Sequence, residues 1–203
     1  MIITELKKTP PDGITLIFDD GTELKSTPAL VSDMHLYSGS ELDDEGFREL
    51  CAASSLSLCR ARALRIVNSR PVSRREMIKK LTEKGEVPEN AEYCADWLVE
   101  LGLINDESYA GAVVRHYAAK GYGEARVRQE LNRHGIPREL WDAAMEEMPE
   151  QDDKLLRFIR ERLTDPDDRA QVKKVSDALF RRGYSWEQIR RTLNSYISQE
   201  DLQ

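Results

Sequence analysis

The sequence predicts a mainly α-helical protein: three tandem three-helix repeats in an elongated array, preceded by a small β-rich module. Three observations carry that prediction. Strand-period alternation is confined to the first 27 residues or so. From Asp43 onward the apolar spacing is helical and stays so. One helix-ending pattern recurs three times: Met77-x3-Leu81-x3-Gly85, Val127-x3-Leu131-x3-Gly135 and Val175-x3-Leu179-x3-Gly183, at offsets of 50 and 48 residues. A single Leu-x3-Gly is how many amphipathic helices end. Three near-equal spacings, each with an apolar helix before and a turn and helix after, indicate units that pack on their neighbours.

Taken in order, Ile14, Leu16 and Phe18 alternate with Thr15 and Ile17, Asp19-Asp20-Gly21 is a turn, and Thr22 to Ser26 returns with Leu24 inward. Ile2 to Leu6 supplies a third strand, ended by Pro10-Pro11. A short helix starts after Pro28 and stops at Ser38-Gly39-Ser40. So small a module is expected to lean on the helices after it. Ser73-Arg-Arg-Glu76 and Ser185-Trp-Glu-Gln188 are capping boxes. Pro88, Asn105-Asp106, Gly123-Glu124, Pro137 and Asp165-Pro166 open further helices, and Gly85, Gly102, Gly121, Gly135 and Gly183 close them. The expected organisation is a strand and helix module over 1–40 and helical repeats over 41–104, 105–149 and 150–203. Trp97, Trp141 and Trp186 stand at non-equivalent places in the units and are expected to anchor the cores.

Composition narrows the function. No apolar run approaches the roughly 18 residues of a membrane span, and the N-terminus lacks a signal-peptide pattern, so a cytoplasmic location and no membrane partner are expected. Cys51, Cys59 and Cys94, without CxxC spacing, read as reduced thiols rather than a disulfide framework or a metal site. His35, His116 and His134 are scattered, Gly121-Tyr-Gly123 is not a dinucleotide loop, and no phosphate-binding GxxxxGK[ST] occurs. The acidic pairs Asp43-Asp44, Glu146-Glu147 and Asp167-Asp168 fall at helix ends, where they serve helix dipoles and solubility. No catalytic residue, metal or cofactor is expected, and the chain reads as a non-enzyme.

The net charge of −7 is unevenly spread: −7 over residues 1–53, +4 over 54–138 and −4 over 139–203. A uniformly basic nucleic-acid binder is excluded; a basic centre is not. In the first repeat, Arg74, Arg75, Lys79 and Lys80 accompany an inner stripe of Met77, Ile78 and Leu81. In the second, Arg115, Lys120, Arg126, Arg128 and Arg133 accompany Val127 and Leu131, with Arg126 and Arg133 read as pointing outward. Stacked repeats would align these cations into a ridge suited to phosphates or an acidic protein surface. An ordinary solvated helix face interleaved with Glu76, Glu83, Glu124 and Glu130 is the competing account.

These residues also resemble a known family. The run from Tyr109 through Arg115-His-Tyr117 and Lys120-Gly-Tyr-Gly-Glu-Ala-Arg126 to Gly135-Ile-Pro137 looks like the central segment of the RecX regulatory proteins. Ala63-Leu-Arg65 through Ser73-Arg-Arg-Glu76 to Gly85 looks like the family's first unit, and Leu101-Gly-Leu-Ile-Asn-Asp106 like the segment between. The resemblance spans about residues 55–200 and is loosest in the third unit. It implies a monomeric, non-enzymatic modulator in recombination, DNA repair and the SOS response. Such a protein binds the RecA–DNA filament, with single- or double-stranded DNA as a further contact, and suppresses ATP hydrolysis, strand exchange or filament growth. One departure is Asn132-Arg-His134 before Gly135, where the family usually carries a lysine; His134 would weaken the ridge near neutral pH. The alternative function is a direct DNA-binding helical repeat protein.

Overall fold

A computed structural model describes residues 1–200. They form two compact units, Met1–Ile104 and Asn105 onward. The first opens with an antiparallel meander of β1 (Ile3–Thr9), β2 (Gly13–Phe18) and β3 (Glu23–Ser26), in the order β1-β2-β3. Leu16 of β2 pairs with Leu6 on one side and Leu24 on the other. Thr27 caps α1 (Pro28–Asp33) by accepting from the Leu30 N–H, and Asp43 caps α2 (Asp44–Ser69) by accepting from Gly46. The sheet cannot close its own core. Ile3, Leu16 and Phe18 are completed by Val31 and by Leu50 of α2, and the Phe47 ring meets Phe18 edge-on at 5.1 Å. Buried Ser54 of α2 donates to Ser26 of β3. Further along, Cys59 and Ala63 turn the same helix toward α3 (Arg74–Glu83) and α4 (Pro88–Glu100). Met77 and Leu81 are fully enclosed there, each contributing about 1.5–3 kcal/mol by burial.

The second unit holds two three-helix groups. Asn105 caps α5 (Asp106–Ala119), followed by α6 (Glu124–Arg133) and α7 (Trp141–Glu146), around Val113, Val114, Val127 and Leu131. Pro137 precedes a single 3₁₀ turn, Arg138–Leu140, rather than opening the α-helix directly. The last group is α8 (Asp152–Arg160), α9 (Arg169–Arg181) and α10 (Trp186–Glu200), around Leu155, Ile159, Val175 and Leu179. The Ser185 box closes reciprocally: Gln188 N–H donates to Ser185 Oγ, and Ser185 N–H to Gln188 Oε1.

Helix α9 starts later than the Asp165-Pro166 signal implies. Asp165 accepts from Asp167 in a local turn, while Asp168 accepts from Ala170 and Gln171 and becomes the cap. Those two backbone N–H groups also hold the Asp168 carboxyl below the usual carboxylate range.

The two groups of this unit meet backbone to backbone. Gly123 N–H donates to Arg182 O at 2.9 Å, and Ala125 N–H to Gly183 O at 3.1 Å. Orphan carbonyls at the end of α9 thus satisfy orphan N–H groups at the start of α6, with the helix dipoles complementary. A Cβ on Gly123 would stand 2.4 Å from Gly183 O, and one on Gly183 would stand 2.3 Å from Arg126 N. Tyr184 Oη adds a bond to Gly121 O at 3.2 Å, and desolvation raises that phenol above its ordinary range.

Candidate functional site

On α3 the Ser73 cap and the buried Met77 and Leu81 fix the helix phase, and the phase sorts the cations. Arg75 is exposed and has no ion-pair partner among the described residues. Lys79 is 74% exposed, with Glu83 at 3.8 Å. Arg74 turns sideways and donates through Nε and Nη2 to the two carboxylate oxygens of Asp96 on α4, at 2.6 and 2.9 Å. That fork holds the Asp96 carboxyl low. Lys80 lies 3.9 Å from Glu76, which also pairs with Arg70.

In the second unit, Arg115 pairs with Glu147, and Lys120 sits over the Tyr117 ring at 5.5 Å. Arg128 is bound by Glu124 at 2.9 Å and Asp142 at 3.0 Å, which together raise its pKa. Arg133 stays exposed, 3.7 Å from Glu130. Arg126 does not project outward. Its guanidinium lies 2.7 Å from the carboxylate of Glu130, which is only 3% exposed, and it packs over the Tyr122 ring. Burial, then Glu130, raises the Tyr117 phenol. His134 is not a ridge residue either: its Nδ1 is 3.0 Å from Tyr109 Oη, and its ring packs on Tyr109 and Tyr117.

Along the sequence the nine cations form one set. Each unit's geometry divides them. Arg75, Lys79, Lys120, Arg115 and Arg133 present exposed charge, whereas Arg74, Lys80, Arg126 and Arg128 are half-buried and tied to carboxylates. Apart from Arg126 with the enclosed Glu130, these are surface pairs worth about 0–1 kcal/mol each, so a partner can exchange them at small cost.

One exposed feature departs from the sequence expectation. Trp186 is not a core anchor; it is 48% exposed and stacks on Phe180, itself 50% exposed, with ring centroids 4.9 Å apart and planes 18° apart. The sequence does carry a signal for it. Phe180 directly follows the inward Leu179, and Trp186 directly follows a cap serine, so neither is on its helix's buried stripe.

The model of the RecX second three-helix domain matches residues 105–145, and that of the third matches residues 150–193. A regulatory protein RecX of Stenotrophomonas maltophilia (strain R551-3) is 38% identical over 133 residues, covering 64% of this chain and 82% of that protein. The chain belongs to the RecX family. A RecX of Xanthomonas axonopodis pv. citri (strain 306) is 36% identical over 132 residues, with the same coverage of both chains. Two RecX crystal structures share the fold. One has a TM-score of 0.66 at 23% identity, covering 95% of this chain and 98% of its own. The other, from Lactobacillus salivarius, has a TM-score of 0.63 at 21% identity, covering 71% and 97%. The chain is thus a RecX-type regulator built mostly of helices, with a small antiparallel sheet at its N-terminus. No helix among the described residues is long and apolar enough to cross a membrane.

Proposed function

We propose that this RecX-type protein acts as a monomer in the cytoplasm, binds the RecA–DNA filament and inhibits the recombinase, without catalysing a reaction itself. Membership of a family of regulators named for RecX carries the reading. The exposed cations of α3 and of the second unit are its contact residues, with Arg75 and Lys79 first, because Arg75 has no ion-pair partner among the described residues and Lys79 is 74% exposed with Glu83 no nearer than 3.8 Å. The nine cations also weigh against the naked phosphate backbone as main target. Among the described residues, seven of them already face a carboxylate and Lys120 faces a ring, so the surface is zwitterionic rather than positive.

The test is RecA ATP hydrolysis on single-stranded DNA, titrated with wild-type protein and with Arg75→Glu/Lys79→Glu. Both side chains are exposed, so the variant's thermal unfolding should match wild type to within about 0.5 kcal/mol. Wild type should inhibit and the variant should not, because each reversed charge now repels its contact. A wild type that leaves hydrolysis untouched overturns the reading. If binding to bare DNA instead falls log-linearly and steeply with salt, direct backbone binding replaces it.

A further inference from the structure

A cleft of about 590 Å³ opens between the two three-helix groups of the second unit. Its apolar lining comes from Met145, Met148 and Tyr184. Two guanidiniums reach it, and both are already occupied: Arg128 by Glu124 and Asp142, Arg191 by both oxygens of Asp152. Two further carboxylates, Glu146 and Glu150, line the same cleft with no cation paired to them among the described residues. Between them and Asp152 lies Gln151. It is 93% buried, its Nε2 donates to Pro149 O at 2.8 Å, and its Oε1 is buried without a hydrogen bond among the described residues.

A buried amide oxygen without a donor is costly, on the order of 1–3 kcal/mol. Here it belongs to a side chain that lines a space also holding unneutralised negative charge. A ligand that answers both features must bring several N–H donors and a positive charge. An arginine side chain does so: its planar fork can donate to a carboxylate and, once the Gln151 amide turns into the cleft, to Oε1, while its stem lies on methionine and tyrosine. A lysine satisfies the charge with a less fitting geometry. A phosphate fails on both counts, since it brings acceptors to an acceptor and negative charge to carboxylates.

We infer that this cleft is a docking site for a basic, arginine-bearing segment of a protein partner. The inference rests on the proposed function for the partner's identity, a recombinase protomer; the chemistry of the cleft stands apart from it. The second unit then offers two kinds of contact: exposed cations for acidic or phosphate surface, and this cleft for a cationic side chain.

The test uses the full chain and two double variants that remove the same charge, Glu146→Gln/Glu150→Gln in the cleft and Glu5→Gln/Glu23→Gln on the strand module. All four carboxylates are exposed and without ion pairs among the described residues, so both variants should melt like wild type. A fluorescein-labelled octa-arginine peptide is titrated by anisotropy. The cleft variant should bind about tenfold more weakly than wild type, and the control within about twofold of it. Equal binding by wild type and the cleft variant, or equal loss in both variants, overturns the cleft as a cation site. In parallel, the cleft variant should lose inhibition of RecA ATP hydrolysis. If it loses the peptide yet inhibits like wild type, the cleft is not the recombinase contact. If wild type binds the peptide through the cleft but never affects RecA, the proposed function fails and the cation site survives.

Discussion

Helices α3 and α6 occupy equivalent places in consecutive repeats, and they start in opposite ways. Ser73, fully buried, caps α3 with its own hydroxyl, accepting from Glu76 N–H at 3.1 Å. Gly123 offers α6 no side chain at all, and carbonyls from the end of α9 take that role. The closing glycines differ in parallel. Gly85 and Gly183 both turn with positive φ, +87° and +90°, yet a Cβ would meet nothing within 4 Å at Gly85 and Arg126 backbone at 2.3 Å at Gly183. The same letter therefore does one job in the first repeat, reversing the chain, and two in the third, reversing it and admitting another helix.

Substitution should be tolerated far less well at Gly183 than at Gly85. Gly85→Ala should cost only the left-handed strain, about 1–2 kcal/mol. Gly183→Ala adds a backbone overlap and should exceed about 3 kcal/mol in urea unfolding. Gly123→Ser sharpens the point: serine is a better cap by propensity, but its Cβ would stand 2.4 Å from Gly183 O, so it should destabilise. Equal losses at Gly85 and Gly183 would mean that the junction contributes nothing.

A second difference lies one turn further in. One i,i+4 pair of α3 is Glu76 with Lys80; at the matching positions of α6 the signs are swapped, Arg126 with Glu130. The dipole favours the first order. The second persists because Glu130 is enclosed and needs a cation close by. Glu130→Ala, which strands Arg126 with its buried Nε, should cost about 2 kcal/mol, whereas Lys80→Ala should cost under about 0.5 kcal/mol. Thermal melts of the two variants, side by side, check the contrast.

The smallest effect concerns Asp96, absent from the cation pattern along the sequence yet bound to Arg74. Its carboxyl is lowered by that fork, so the stabilisation is present above the unfolded value of about 3.9 and is lost as pH falls through the folded value. Both side chains are about half exposed, which screens the pair to no more than about 1 kcal/mol. Asp96→Asn should melt slightly below wild type at neutral pH, and the gap should close in acid. A gap that widens in acid would assign the stabilisation elsewhere.

Most of the helix starts and stops were legible because they are local. A serine three residues before a glutamate, or a glycine after the last apolar position, acts through backbone groups a few bonds away. Legibility failed where several local signals competed, as at Asp165 and Asp168, where either carboxylate can receive N–H groups and only one ends as the cap. The candidate site was harder still. The sequence supplied which cations share a helix with an apolar stripe, and so which are on its surface. It did not supply Asp96, Glu147 or Asp142 as their partners, because each of these lies on or just past the end of another helix and 14 to 32 residues away.

The helical class, the threefold recurrence, the strand module and the family are all written in spacing and short-range chemistry along the chain. Contacts across the fold set which charges are engaged inside the protein and which remain for a partner. Arg126 reads like Arg133 along the chain, but Arg126 is drawn to 2.7 Å from the buried Glu130 carboxylate, whereas Arg133 stays 3.7 Å from it and 76% exposed. Glu146 and Glu147 read as one acidic helix end, but Glu147 meets Arg115 while Glu146 lines a cleft with no cation paired to it among the described residues. The physical reason is the same in both cases: Coulomb energy and desolvation depend on distances across the fold, and neighbouring residues on a helix point about 100° apart.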